Sequence, residues 1–290
     1  MIADTRVSLQ ERIWKQRFDL LGIGLRRYPD FVLGERASSL EASVPVFVFH
    51  RVEPVRFAEQ LRYLQENDYR VLGTADELLA CLRGVQPRTA RTVLLTFDDG
   101  LESLYTVAFP LLRKHGMAAV AFIVPGFIGL PGFCTWDQLR EMHAAGVIDV
   151  QSHSFFHRYA PRWSRIVPCL DAAERCRDQA RRVPSMEDDY RTARERLEEE
   201  LQKPVRHLCY PDYDGTAESV AVSRQAGYVS NFWGLVEGRG VNRLGGDPFR
   251  VARLLDDYVF RLPGRGRRAL GSILAAKWRA NGTRWLRGRS

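Results

Sequence analysis

The five cysteines of this 290-residue chain, Cys81, Cys134, Cys169, Cys176 and Cys209, include no CxxC pair. An odd, scattered set argues against a disulfide framework or a cysteine zinc site and fits a reducing compartment. Repeats and low-complexity tracts are also missing, and 45% hydrophobic with 27% charged residues excludes wholesale disorder. No secretion signal is expected, because the N-terminus carries Asp4 and Glu11 and its longest apolar run, LLGIGL at 20–25, is too short for a signal core. One uncharged stretch, from His115 to Trp136, has the length of a membrane span, but Pro125, Pro131 and three glycines after Val124 break it. What remains is a globular chain expected in the cytoplasm, long enough for one main domain with extensions.

Acids are absent from Arg261 to Ser290, where nine Lys or Arg stand. The preceding 260 residues carry 34 bases against 35 acids, so the tail holds the whole net charge of +8. Leu270, Ile273, Leu274 and Trp278 recur there at helical spacing. An amphipathic basic helix of this kind suits the inner face of an anionic membrane, and equally a solvated tail docked through one apolar stripe. No nucleic-acid reader motif accompanies the charge, and no nucleic-acid partner is expected. The divisions expected are an N-terminal extension over 1–43 with a semi-amphipathic segment, a main domain over 44–260, and the basic tail over 261–290.

From residue 44 the pattern alternates short apolar runs with amphipathic segments. Strands are expected at 44–49, 92–97, 117–124, 147–152, 205–210, 228–233 and 249–255. FAEQLRYLQEN, TADELLACLR and TWDQLREMHAAG read as helices, the last two opening with capping-box residues Thr74 and Glu77, and Thr135 and Gln138. Alternation of this kind implies α/β architecture with parallel strands, as a barrel or an open doubly wound sheet, and seven strands favour an incomplete barrel. Either way, chemistry belongs at the C-terminal strand ends. The segment 158–204 interrupts the rhythm with an irregular stretch and YRTARERLEEELQK, which reads as a solvated surface helix.

Two motifs stand at such strand ends. LLTFDDG runs a core strand into Asp98 and Asp99, two acids that repel each other and lose hydration. SHSFFH places His153 and His157 four residues apart just beyond the next strand but one. Two imidazoles and one carboxylate suit a divalent ion with positions left open, and the second acid could then take a proton from water. Taken singly, an Asp pair also serves as a turn or helix cap, and HxxxH arises by chance on helix surfaces.

TFDDG followed by HSFFH resembles the first two motifs of the polysaccharide deacetylase family, the NodB-homology domains of carbohydrate esterase family four, and the resemblance runs from about 44 to 254. It implies a distorted seven-stranded (β/α) barrel that hydrolyses the N-acetyl amide of N-acetylhexosamine units in a glycan or glycan precursor. By that likeness Asp98 is the general base, while Asp99, His153 and His157 bind a divalent metal, zinc foremost. Two motifs depart from the family's. CYPDYDG puts Cys209 where an arginine is usual and Asp212 where an aromatic is usual, with Tyr210, Pro211 and Asp212 expected at the substrate and oxyanion side. Tyr210 would also suit a packed core position. No histidine follows His207, so the late Leu-x-His acid is missing. His50, at the end of the first strand, resembles the replacement acid of some relatives, facing the substrate from the side opposite Asp98, or else is a structural histidine. Arg250 and Arg253, three apart on a strand, face opposite ways, and Arg253 is expected to orient Asp98. The alternative is a non-catalytic carbohydrate-binding or scaffold protein on a degenerate barrel.

Overall fold

A computed structural model describes residues 23, 27–34, 36–158, 160–162, 185–235 and 240–287, without the side chains of 280–287. Most of the N-terminal segment, most of RYAPRWSRIVP, Cys169 and Cys176 lie outside the described residues.

Among the described residues ten strands form, β1 Ser43–Val44, β2 Val46–Phe49, β3 Arg70–Leu72, β4 Thr92–Asp99, β5 Ala119–Ile123, β6 Ile148–Ser152, β7 His207–Cys209, β8 Ser230–Phe232, β9 Asn242–Arg243 and β10 Leu254–Leu255. The principal sheet runs β10-β2-β4-β5-β6-β7-β8, parallel throughout. β3 pairs with the first half of β4, ahead of the point where β5 begins. Between β8 and β10 one parallel bridge, Phe232 to Val251, closes the ring. The chain is thus a distorted seven-stranded (β/α) barrel. The strand expected over 249–255 shrinks to Leu254–Leu255, because Pro248–Arg250 forms a 3-10 turn whose Phe249 N–H is capped by Asp247 Oδ1 at 2.9 Å.

All eight residues of β4 are buried, as a parallel strand covered on both faces requires. Its side chains alternate between two cores. Leu94 belongs with Val46, Val120, Phe122, Phe232 and Val251 to one buried cluster inside the barrel. Leu95 and Phe97 pack outward against the helical layer with Phe49 and Phe57. That layer comprises α1 Pro54–Glu66, α2 Ala75–Leu82, α3 Phe109–Lys114, α4 Trp136–Ala144, α5 Met186–Leu201, α6 Ala217–Gln225 and α7 Leu270–Arg287. Thr74 caps α2 through Glu77 N–H, and Thr135 with Gln138 forms a full capping box on α4.

α5 is not the solvated helix its charge suggested. Met186, Asp189, Tyr190, Ala193, Leu197 and Leu201, at helical spacing, are buried against the barrel. The tail also turns inward. Ile273 is buried, with Leu270 packed beside it. Arg261 donates to Val32 O and Gly34 O, Arg267 to Phe31 O, Arg268 pairs with Glu59 at 2.8 Å, and Lys277 with Asp257 at 3.1 Å. Much of the basic tail is therefore spent stitching the chain to itself, while Trp278 stays 62% exposed. Among the described residues no helix is long and apolar enough to cross a membrane.

Below the barrel, Asp149 joins three elements. Its Oδ1 accepts from Lys203 Nζ at 2.6 Å and Gln151 Nε2 at 2.9 Å, and its Oδ2 from Ala75 N–H at 3.2 Å. Asp149→Ala is expected to lower the unfolding free energy by about 1.5–3 kcal/mol, the range for hydrogen bonds to charged groups, measured by urea denaturation.

Candidate active site

By alternation along β4, Asp98 belongs to the inward set of Leu94 and Thr96, and Asp99 should point outward. A φ of 74° at Asp99 breaks the alternation, a left-handed conformation rare outside glycine, and Gly100 turns the chain away at 83°. Both carboxylates consequently serve one buried site, Asp98 2% and Asp99 4% exposed. His153 Nε2 stands between them, 3.9 Å from Asp98 Oδ2 and 3.5 Å from Asp99 Oδ1.

Arg253 takes Asp98 in a two-pronged grip, Nη1 to Oδ1 at 2.6 Å and Nη2 to Oδ2 at 2.9 Å, while its Nε donates to Trp233 O. Burial alone would push the Asp98 carboxyl up. The Arg253 charge, aided by His153, the Arg253 hydrogen bonds and His50, overrides it and holds the group at about 2. Arg250, by contrast, is half exposed and lies beside Asp247. At Asp99 burial again opposes ionisation, and the charges of His157, His50 and His153 lower the carboxyl.

His153 donates from Nδ1 to Cys209 O at 2.9 Å, since a carbonyl can only accept, and this turns Nε2 into the site. Burial brings its imidazole down to about 4 against the pull of Asp98, so the ring is neutral at neutral pH. His157 follows a loop rather than a helical turn, with Ser154 at φ 60° and His157 itself at 55°. Its Nε2 lies 3.3 Å from Asp99 Oδ1.

These donors fit a divalent ion. Asp99 Oδ1 is buried and accepts no hydrogen bond among the described residues. Bonds of about 2.0–2.2 Å to a tetrahedral ion set neighbouring donors roughly 3.3–3.6 Å apart. The two Asp99–His spacings, 3.5 and 3.3 Å, match that edge. Asp98, His153 and Cys209 also lie close together, but Arg253 occupies Asp98, and burial pushes the Cys209 thiol well above its usual range.

Four expected positions fall differently. His50 stands beside Asp98, its Nε2 4.0 Å from Oδ2, not across the site from it. The register explains this, for Phe49 pairs with Phe97 and the next residues are neighbours. The Tyr210 side chain is fully buried, its ring 5.0 Å from that of Trp233, and its N–H is spent on Phe232 O at 3.0 Å. Pro211 is buried and has no N–H. Neither residue supplies an oxyanion donor. Asp212 is exposed, and successive left-handed residues, Asp212 at φ 56° and Tyr213 at 64°, bring Tyr213 to the site instead. The Tyr213 hydroxyl lies 3.2 Å from His50 Nε2.

Sequence reasoning missed Tyr213, one place beyond the motif's aromatic position, and Asp189, hidden in a charge-rich helix. Asp189 accepts N–H bonds from Phe155 at 2.8 Å and Phe156 at 3.2 Å, the residues between the two histidines.

Fold and site together define a (β/α)-barrel protein with a His-His-Asp donor set and a second, arginine-paired acid at the strand ends. Residues 85–230 match the family model described as polysaccharide deacetylase, and the chain belongs to that family. It is 32% identical over 124 residues to "Putative polysaccharide deacetylase YxkH" of Bacillus subtilis, covering 40% of this chain and 44% of that protein. With the poly-beta-1,6-N-acetyl-D-glucosamine N-deacetylase of Escherichia coli K12 it shares 31% identity over 134 residues, 41% of this chain and 20% of that one. The matches thus span less than half the length of these curated relatives. Among solved structures, IcaB of Ammonifex degensii superposes with a TM-score of 0.62 at 30% identity, over 76% of this chain and 95% of that one.

Arg253→Met leaves Asp98 buried and unpaired, and is expected to cost about 3–5 kcal/mol in chemical denaturation, most of it regained on adding Asp98→Asn. At Gly126 an added Cβ would stand 2.6 Å from Phe155 O. Gly126→Ala should therefore displace the histidine loop and weaken retention of an added divalent ion on dialysis against chelator, with wild-type retention counting against the close approach.

Proposed function

We propose that this chain is a metal-dependent N-deacetylase of an N-acetylhexosamine polymer, with poly-β-1,6-N-acetylglucosamine as the first substrate to test. One observation carries the reading: the Asp99, His153 and His157 donors and the ionised Asp98 converge on one buried site. The N-deacetylase activity for which the Escherichia coli relative is named supports the amide and the polymer.

A divalent ion, zinc foremost, held by Asp99, His153 and His157, supplies Lewis acidity that polarises the acetamide carbonyl and acidifies water toward a pKa of about 7. Arg253 favours the ionised form of Asp98 and aims it, so a proton acceptor is in place. The same pairing makes Asp98 a weak base, so transfer to it depends on water made acidic at the site. Asp98 takes the proton of the attacking water at a carboxylate oxygen. His50, 41% exposed at the mouth and steadied by the Tyr213 hydroxyl, stands on the same side as Asp98 rather than across from it, and from there would hand a proton from its ring to the departing amine. The scaffold alternative rests on the missing Leu-x-His acid and the missing motif arginine, and the second ground weakens because Arg253 pairs with Asp98 where Cys209 cannot.

The test is acetate release from β-1,6- and β-1,4-linked N-acetylglucosamine oligomers, after chelation and restoration with zinc, cobalt or manganese. Restored release that Asp98→Asn lowers by about 10²–10⁴-fold is expected, with His50→Asn lowering kcat more than it changes KM. Binding of the oligomers without turnover under every metal would instead mark a carbohydrate-binding protein.

A further inference from the structure

We propose that Asp189 is the positioning residue of the histidine loop, a carboxylate on α5 that sets the geometry, and hence the ion affinity, of His153 and His157. This rests on reading Asp99, His153 and His157 as an ion site.

The loop does not hold itself. Ser154 and His157 both sit at positive φ, 60° and 55°, which costs an L-residue roughly 1–3 kcal/mol each unless the surroundings over-determine it. Phe155, between the two ligands, is gripped from both sides. Its N–H donates to Asp189 Oδ1 at 2.8 Å, and its carbonyl accepts from Gly126 N–H at 3.2 Å. Phe156 N–H donates to the other Asp189 oxygen at 3.2 Å, so each carboxylate oxygen fixes one peptide of the loop.

Asp189 is itself well placed to act as a fixed point. It is wholly buried, on the apolar face of α5 beside Tyr190 and Ala193. Tyr228 clamps α5 to the strand that delivers His153, its hydroxyl donating at 2.8 Å to Tyr190 O and lying 2.8 Å from Ser152 Oγ. Strand β6, α5 and the loop therefore share one hydrogen-bonded frame. Burial pushes the Asp189 carboxyl up to about 6 against the two N–H bonds and the charge of Arg158, as a price for placing an acceptor there. A neutral amide of the same shape could satisfy one of the two N–H groups and would turn its own N–H₂ toward the other.

The test is zinc affinity of the full chain, wild type against Asp189→Asn, by competition with a chromophoric chelator, with cobalt absorption reporting the ligand geometry. An outer group that orients metal ligands typically contributes 10–100-fold in affinity. Asp189→Asn is therefore expected to weaken zinc binding by about that factor and to alter the cobalt spectrum. Tyr228→Phe, which loosens the clamp without removing the carboxylate, should weaken zinc by several-fold and serves as the readout if the Asn variant does not fold. Zinc affinity within twofold of wild type in the folded variants overturns the assignment, whatever the melting temperature does, because a merely structural Asp189 would move stability alone. Wild-type protein that takes up no zinc overturns the ion site and this inference together.

Discussion

The two-pronged contact between Arg253 and Asp98 joins the seam of the barrel to its site. Arg253 lies on the short segment, 251–255, that closes the ring between β8 and β2. Both groups are dehydrated, and at that depth neither charge would be tolerated alone. The guanidinium also gives its Nε to Trp233 O, beside β8. The segment that closes the ring therefore also carries the cation that keeps the proposed base ionised. A disturbance at either end is felt at the other.

Around that pair the site works by departures from regular geometry. Strand alternation delivers Asp98 inward for nothing, but Asp99 reaches the same site only through a left-handed backbone. His157 and Tyr213 use the same device. Each such residue is locally unfavourable, and each is held by packing or hydrogen bonds from elsewhere. The strain collects where the chemistry is, as in sites whose residues must converge from one short loop.

Much of this was legible in the residues. Continuous apolar runs gave the parallel strands their places, and Thr135 and Gln138 gave α4 its start. Arg253 reaches Asp98 as expected, but not by strand parity, because Pro248–Arg250 is a 3-10 turn and the strand begins only at Leu254. What escaped had no local signal. His50 stands beside Asp98 because of strand register, a property of two segments some fifty residues apart in sequence. Asp189 sat in a run whose charge suggested solvent, and only the packing of α5 shows it buried under the histidine loop. The Tyr213 position depends on two consecutive left-handed residues, which no periodicity foretells.

Cys209 bears on how such a site can change over time. The family's usual arginine stands at that position, and its Sγ lies 3.9 Å from Asp98 Oδ2, in the space a guanidinium would need. One carboxylate cannot accommodate two guanidinium groups there without burying a surplus positive charge, and with neither it is itself the uncompensated charge. Arginine at 209 and arginine at 253 are therefore alternatives. Arginine at both positions, or at neither, would leave the proposed base overpaired or uncompensated.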